Sequence, residues 1–431
     1  MIAPSPRFRV GVALLAAMLG AGCSSHTNST AGQQSSSPSM TSAAGSAPVM
    51  TAPAPAHGVE AAISAVPWSN VGPGWVLATW SPVNPHRLGE QPAPGEPTPD
   101  TATTSLFLVD PAGNRYAIST FPPGGNLRLL DWSGDGSHAL FAAEGAEPAT
   151  AISVDLHTGA QATIPVNGYP RFTRPDGKAI LVSTGFNGDK PGTLKRVDLN
   201  GNPQFTYPTE QLGGAGQFSG DYLESPDGTQ LVLSTANLGN DVVPRSDNSL
   251  VVIGNDGSVV RQLRTPIPQA ICAPVRWWTP TVILAHCTVE RSSANQLWEV
   301  PLDGGAPTAL TALNSGQEND PGFGGDIDDG IAWQLPSGTF LQSAGACGTE
   351  FLSRLTADGH TTQVKVPGVS PNVIVAGAAG DKLVLRGQVG CSGTTSLLAY
   401  APAANTSTVL LGPPINGGGV TEAVLYPGHD S

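Results

Sequence analysis

One short phrase recurs three times along this 431-residue chain: Trp132-Ser133-Gly134-Asp135-Gly136, Phe172-Thr173-Arg174-Pro175-Asp176-Gly177 and Leu223-Glu224-Ser225-Pro226-Asp227-Gly228. Each copy is followed by an apolar run of strand length. The phrase is a tight turn with a mechanism: Pro presets φ, Asp caps its own backbone, and Gly takes the positive φ that a hairpin requires. Spacings of 41 and then 51 residues, from Asp135 to Asp176 to Asp227, match one four-stranded unit. Such a unit cannot bury its faces alone and has to stack against copies of itself, so the period predicts an all-β propeller.

With the phase set, three units read clearly. The first pairs Leu129–Trp132 with His138–Ala142, then Ala151–Leu156 with Gln161–Val166. The next two repeat this over 171–207 and 221–264, and degenerate copies follow over 275–311, 330–366 and 373–411. An irregular unit precedes them, with Gly74–Trp80, a Pro-rich excursion over 82–100, Ser105–Asp110 and Tyr116–Phe121. The phrase and the strand ending in Asp-x-x-x-Gly resemble the WD-type blade of the TolB family. That resemblance covers nearly everything after residue 65 and implies a seven-bladed ring of four-stranded blades, with six or eight left open. TolB proteins also carry an α/β domain before the propeller, whereas a low-complexity stretch holds that place here, so a Tol-type role is an analogy of fold alone.

A propeller closes by pairing strands from the two ends of the chain. Two spare runs are available, Ala61–Val66 and Val420–Tyr426, and the sequence does not choose between them. Gly and Pro together exceed a fifth of the chain, with 53 and 40 residues, but after residue 65 they sit at spaced turns between Val, Leu, Ile and Trp runs. No amphipathic helix of three turns stands out.

The first 22 residues read as a signal peptide: Arg7 and Arg9, an apolar core over Val10–Leu19, then Gly20-Ala21-Gly22-Cys23. The core is too short to span a bilayer. Cys23 after small residues resembles the bacterial lipobox, which implies lipidation at Cys23, although Gly20 stands where that pattern has Leu. Residues 23–60 form a Ser/Thr/Ala/Pro tether without the apolar surface to fold, and 61–428 form the propeller domain. The expected layout is a monomeric head, anchored to the cell membrane through Cys23 and facing the extracytoplasmic space.

Four cysteines remain. Cys272 and Cys287 flank the hairpin through Thr279-Pro280 and should lie opposite each other, which suits a disulfide. Cys347 and Cys391 fall in equivalent loops of neighbouring blades and could join them. An even count in an exported chain favours disulfides over metal, and neither a metal site nor a cofactor is expected.

No Gly-x-Ser-x-Gly elbow, His-Glu-x-x-His helix, phosphate loop or dinucleotide fingerprint occurs, so no catalytic residue is named. Loops joining second to third strands, and blade to blade, share one face and are the long ones, which nominates that rim for binding. Glu318, Asp320, Asp326, Asp328 and Asp329 make one such loop acidic. It resembles part of a calcium loop but lacks the later bidentate Glu. With 33 acidic against 20 basic residues the net charge is −13. No basic stripe is present, so nucleic-acid binding is not expected, whereas basic proteins or cations are favoured. The reading is a lipid-anchored binding or scaffold module of the bacterial envelope, its partner an envelope protein of unknown identity. The alternative is a propeller enzyme, a lyase or hydrolase on a sugar or lactone, with a metal in the central channel.

Overall fold

The computed structural model describes residues 58–427 apart from the stretches 85–90, 144–149, 187–189, 237–248, 290–293, 315–327, 389–393 and 413–417 and positions 92, 126, 211, 214, 268–269, 346–347 and 370–371. Seven antiparallel sheets stand around one axis, each inner strand packing on the next blade. Blade I contains β1 (Glu60–Ala62), β2 (Val76–Ser81), β3 (Thr104–Val109) and β4 (Arg115–Phe121). From the inside outward, blade II is β5 (Leu127–Trp132), β6 (His138–Ala143), β7 (Thr150–Asp155) and β8 (Gln161–Pro165). Blade III is β9 (Tyr169–Phe172), β10 (Ala179–Thr184), β11 (Thr193–Asp198) and β12 (Pro203–Thr206). Blade IV is β13 (Gln217–Glu224), β14 (Gln230–Ala236), β15 (Leu250–Gly254) and β16 (Val259–Gln262). Blade V is β17 (Ala270–Thr279), β18 (Val282–Val289), β19 (Asn295–Pro301) and β20 (Thr308–Ala309). Blade VI is β21 (Asp328–Leu335), β22 (Gly338–Ala344), β23 (Glu350–Leu355) and β24 (Thr361–Gln363). Blade VII is β25 (Val373–Ala379), β26 (Lys382–Gln388), β27 (Thr394–Ala401) and β28 (Thr406–Leu411), and the chain ends with β29 (Gly419–Leu425).

Both spare runs close the ring, at opposite edges of one sheet. β29 pairs antiparallel with β2 and serves as the inner strand of blade I, so the Gly74–Trp80 run is a second strand rather than a first. β1 adds parallel to β4 as a fifth, outermost strand. There Arg115 Nε meets Glu60 Oε2 at 3.0 Å, and the Val59 N–H donates to Asn114 Oδ1 at 3.1 Å. The sheet with the two chain ends therefore has neither a vacant inner position nor a bare β4 edge.

The repeated turns connect first to second strands as the sequence predicts. In blade II the Ser133 hydroxyl and the Ser137 N–H donate to Asp135 Oδ1 at 2.7 and 2.9 Å. In blade IV, Ser225 and Thr229 do the same for Asp227 at 2.5 and 3.1 Å. Burial alone would raise the Asp135 carboxyl, but the bonds from Ser137 and Ser133 outweigh it and hold the group below the ordinary carboxylate range. The turns also nest on one another. A Cβ on Gly228, which has φ +70°, would fall 1.9 Å from the Arg174 carbonyl oxygen. A Cβ on Gly134 would fall 1.6 Å from that of Pro175. Glycine is required by the approach of the neighbouring blade as well as by the turn.

The core lies between the blades. Leu77, Leu108, Phe121, Phe141 and Trp132 are fully or almost fully buried, and the Trp132 indole N–H donates to the Gly136 carbonyl at 3.0 Å. Each such side chain contributes about 1.5–3 kcal/mol by leaving water. In blade V, Cys272 and Cys287 face each other across β17 and β18 and are joined by a disulfide. Cys347 and Cys391 lie outside the described residues, as does Cys23. Among the described residues, no helix is long and apolar enough to cross a membrane.

Candidate functional site

Strand direction divides the connections between two faces. Links from first to second strands, and from third to fourth, lie on one face. Each is 2–6 residues long, as in the two residues between Thr279 and Val282 or the six between Pro301 and Thr308. Links from second to third strands, and from blade to blade, lie on the other face. They include 22 residues between Ser81 and Thr104, 13 between Ala236 and Leu250, 18 between Ala309 and Asp328, and 10 between Thr206 and Gln217. Every connection longer than six residues is on that second face, here called the long-connection face. The other is the short-turn face.

The channel between the inner strands carries a charged cluster near each end. At the short-turn end, Arg174 follows β9 and reaches back to blade II, where its Nη2 donates to Asp131 Oδ1 at 2.9 Å. Asp131 is almost wholly buried and also accepts the backbone N–H groups of Trp132 and Phe172. Toward blade IV, the Arg174 N–H donates to Glu224 Oε2 at 2.9 Å. The Trp277 indole of blade V donates to the Glu224 carbonyl at 2.7 Å. Burial by itself would lower the Arg174 guanidinium, but Asp131 beside it outweighs this and raises it. Burial pushes the Glu224 carboxyl up to about 8, against the Arg174 N–H bond and charge that pull it down. Tyr222, two residues earlier on β13, is raised by burial as well. Its hydroxyl and Glu224 Oε1 are both buried without a hydrogen-bond partner among the described residues.

At the long-connection end, four blades contribute. Arg386 on β26 places Nη1 3.2 Å from Glu422 Oε2 on β29 and donates to the Thr421 carbonyl. Arg128 on β5 sits with Nε 4.0 Å from Glu422 Oε1. Glu350, the first residue of β23, gives its N–H to Gln388 Oε1 at 2.9 Å. Burial raises the Glu350 carboxyl; Arg386 opposes that shift and Glu422 adds to it. Glu350 Oε2 and Arg386 Nε are buried without a hydrogen-bond partner among the described residues.

Of the acidic loop named from sequence, Glu318, Asp320 and Asp326 lie outside the described residues. Asp328 opens β21. Asp329 is buried and accepts the hydroxyls of Ser343 and, at 3.1 Å, Thr361. Sequence reasoning singled out Arg171, Asp221 and Glu224 as charged residues of inner strands but passed over Arg128, Asp131, Arg276 and Glu422. The available signal was a lone charge inside an apolar strand run, as in Leu127-Arg128-Leu129-Leu130-Asp131-Trp132. Among the described residues, no three His, Cys, Asp or Glu side chains converge so as to hold a metal ion.

No family model matches the chain, and no curated protein matches it. Similar solved structures include TolB from Acinetobacter baumannii, at 14% identity and a TM-score of 0.41, over 82% of this chain and 67% of that one. They include an oligogalacturonate lyase from Vibrio parahaemolyticus, at 13% identity and a TM-score of 0.44, over 78% and 86%. They also include a prolyl endopeptidase, at 13% identity and a TM-score of 0.48, over 82% and 51%, so the chain spans about half of that protein. TolB-like likeness thus stands beside likeness to propeller-bearing enzymes, and the seven blades themselves follow from the sheet topology.

Proposed function

We propose that this protein is a lipid-anchored, extracytoplasmic binding or scaffold propeller of the bacterial envelope, and that it meets its partner through the long-connection face. The observation that carries this reading is the confinement of every connection longer than six residues to one face of the ring. Variable connections on a rigid frame are where recognition surfaces are built. The frame is rigid by construction, because Arg174 ties blades II, III and IV together with bonds at 2.9 Å.

The point where the N-terminal segment joins the ring supports the same layout. Gly58 lies against Gly113, where an added Cβ would be 1.6 Å from the Gly113 carbonyl oxygen, and Gly113 belongs to a short-turn connection. A segment anchored through Cys23 joins there and leaves the opposite face clear. The signal-like residues Arg7 to Cys23 and the low-complexity stretch behind them supply export, anchor and tether.

The test is made in the native envelope. A Cys23→Ala chain should move from the membrane fraction to the soluble one. Detergent-extracted chains shortened over 237–248 or 315–327 should lose, singly or together, an envelope protein that the unshortened chain recovers reproducibly. Undiminished recovery by folded chains with both segments shortened would overturn the binding-face reading, and retention of Cys23→Ala on the membrane would overturn the anchor.

A further inference from the structure

Two buried charged atoms at the long-connection end of the channel have unmet hydrogen-bonding capacity: Glu350 Oε2 from blade VI and Arg386 Nε from blade VII. The groups act on each other electrostatically, yet neither atom satisfies the other. Buried polar atoms are rarely left so without water, an ion or a ligand to meet them. The remaining contacts hold the pair in place. Arg386 Nη1 is engaged by Glu422 at 3.2 Å and by the Thr421 carbonyl, while the Glu350 N–H is held by Gln388. Arg128 completes the group from blade II, with its Nε 4.0 Å from Glu422.

The chemistry of this set is that of a donor site. Burial favours the acid form of Glu350, and in that form the cluster offers the Glu350 O–H, the Arg386 Nε–H and the Arg128 guanidinium. Two guanidiniums against the single charge of Glu422 leave a local excess of one positive charge, despite the net −13 of the whole chain. A carboxylate brings two acceptor oxygens and a negative charge, which charge-assisted bonds from guanidinium recognise best. We propose that the long-connection end of the channel binds a small carboxylate ligand through Arg128 and Arg386, with Glu350 as a third donor. A neutral amide of the same shape lacks the charge and binds far more weakly. Ionising Glu350 sets a like charge against the ligand, so affinity falls as pH rises. The facing groups that set this dependence are Arg386, Glu422, Arg128 and Gln388.

The inference deepens the reading of this face as the recognition face, and the two can fail separately. The probe is sodium acetate, with acetamide as the neutral match, titrated into the full-length chain in detergent and followed through the methyl signal by ligand-observed NMR. Saturable acetate binding at pH 6 is expected, at least tenfold tighter than any acetamide binding, and weakened at least tenfold in Arg128→Gln. Glu350→Gln should keep acetate binding at pH 6 and lose its decline toward pH 8. Should Arg386→Gln fail to fold, since it joins blades VII and I, the more exposed Arg128 still decides the matter. Absence of saturable acetate binding, equal binding of acetamide, or unchanged binding in folded Arg128→Gln overturns the proposal. None of these outcomes bears on partner recovery by the shortened chains.

Discussion

The Arg174 guanidinium of blade III donates to the Asp131 carboxylate of blade II at 2.9 Å, and because the Arg174 N–H also reaches Glu224 of blade IV, one residue joins three consecutive blades. Breaking such a buried pair from one side leaves a desolvated charge unpaired. Asp131→Ala should lower unfolding free energy by about 3–5 kcal/mol. Asp131→Ala combined with Arg174→Met, which removes both charges, should recover much of that loss. Urea unfolding of the four chains in a double-mutant cycle checks this, and equal losses for the single and double variants would contradict it.

Glu224 gives a pH dependence of definite sign. Its carboxyl is raised by burial from an ordinary value of 4.5 to about 8. The unfolded chain therefore ionises first, and the stability contributed by the neutral form is fully present below pH 4.5 and is lost as pH rises through about 8. The loss is on the order of 4–5 kcal/mol across that window. Glu224→Gln keeps the neutral shape, so its stability relative to the native sequence should grow from pH 5 to pH 9. Parallel stability curves for the two chains would contradict this.

Gly228→Ala and Gly380→Ala separate the two demands made on turn glycines. Both positions have positive φ, +70° and +62°, which costs a non-glycine residue about 1–2 kcal/mol. Only Gly228 has a carbonyl oxygen where the methyl group would go, 1.9 Å away, while nothing lies within 4 Å at Gly380. Gly228→Ala should therefore lower the thermal midpoint clearly more than Gly380→Ala does. Equal shifts would mean that the turns do not nest.

The Cys272–Cys287 bond closes a 15-residue separation. Cross-linking at that separation removes about 3 kcal/mol of chain entropy from the unfolded state. Denaturant unfolding of the Cys272→Ala/Cys287→Ala chain against the oxidised parent should show a loss of up to that size.

Much of this architecture was legible because Pro, Asp and Gly act locally: the turn phrases place the hairpins of blades II to IV, and the same phase places Cys272 opposite Cys287. What escaped the sequence was non-local. Nothing near Ala61 or Val420 indicates that the two runs flank one sheet, with β29 inside and β1 outside, because both pairings join segments far apart in the chain. The channel clusters were hidden for the same reason. Arg128, Glu350, Arg386 and Glu422 are spread over nearly 300 residues, and only ring closure brings them to one end of the axis. The two faces were legible from connection lengths, since strand alternation alone decides the side on which each connection falls.

The most direct test of the account asks which face meets a partner. A photo-crosslinking residue is placed at Pro123 or Arg264, exposed on the long-connection face, and at Asp303 or Asp381, exposed on the short-turn face, in the full-length chain within its own envelope. The account predicts adducts of discrete mass with an envelope protein from Pro123 or Arg264 and none from Asp303 or Asp381. Adducts confined to the short-turn positions, or formed equally from both faces, would contradict it.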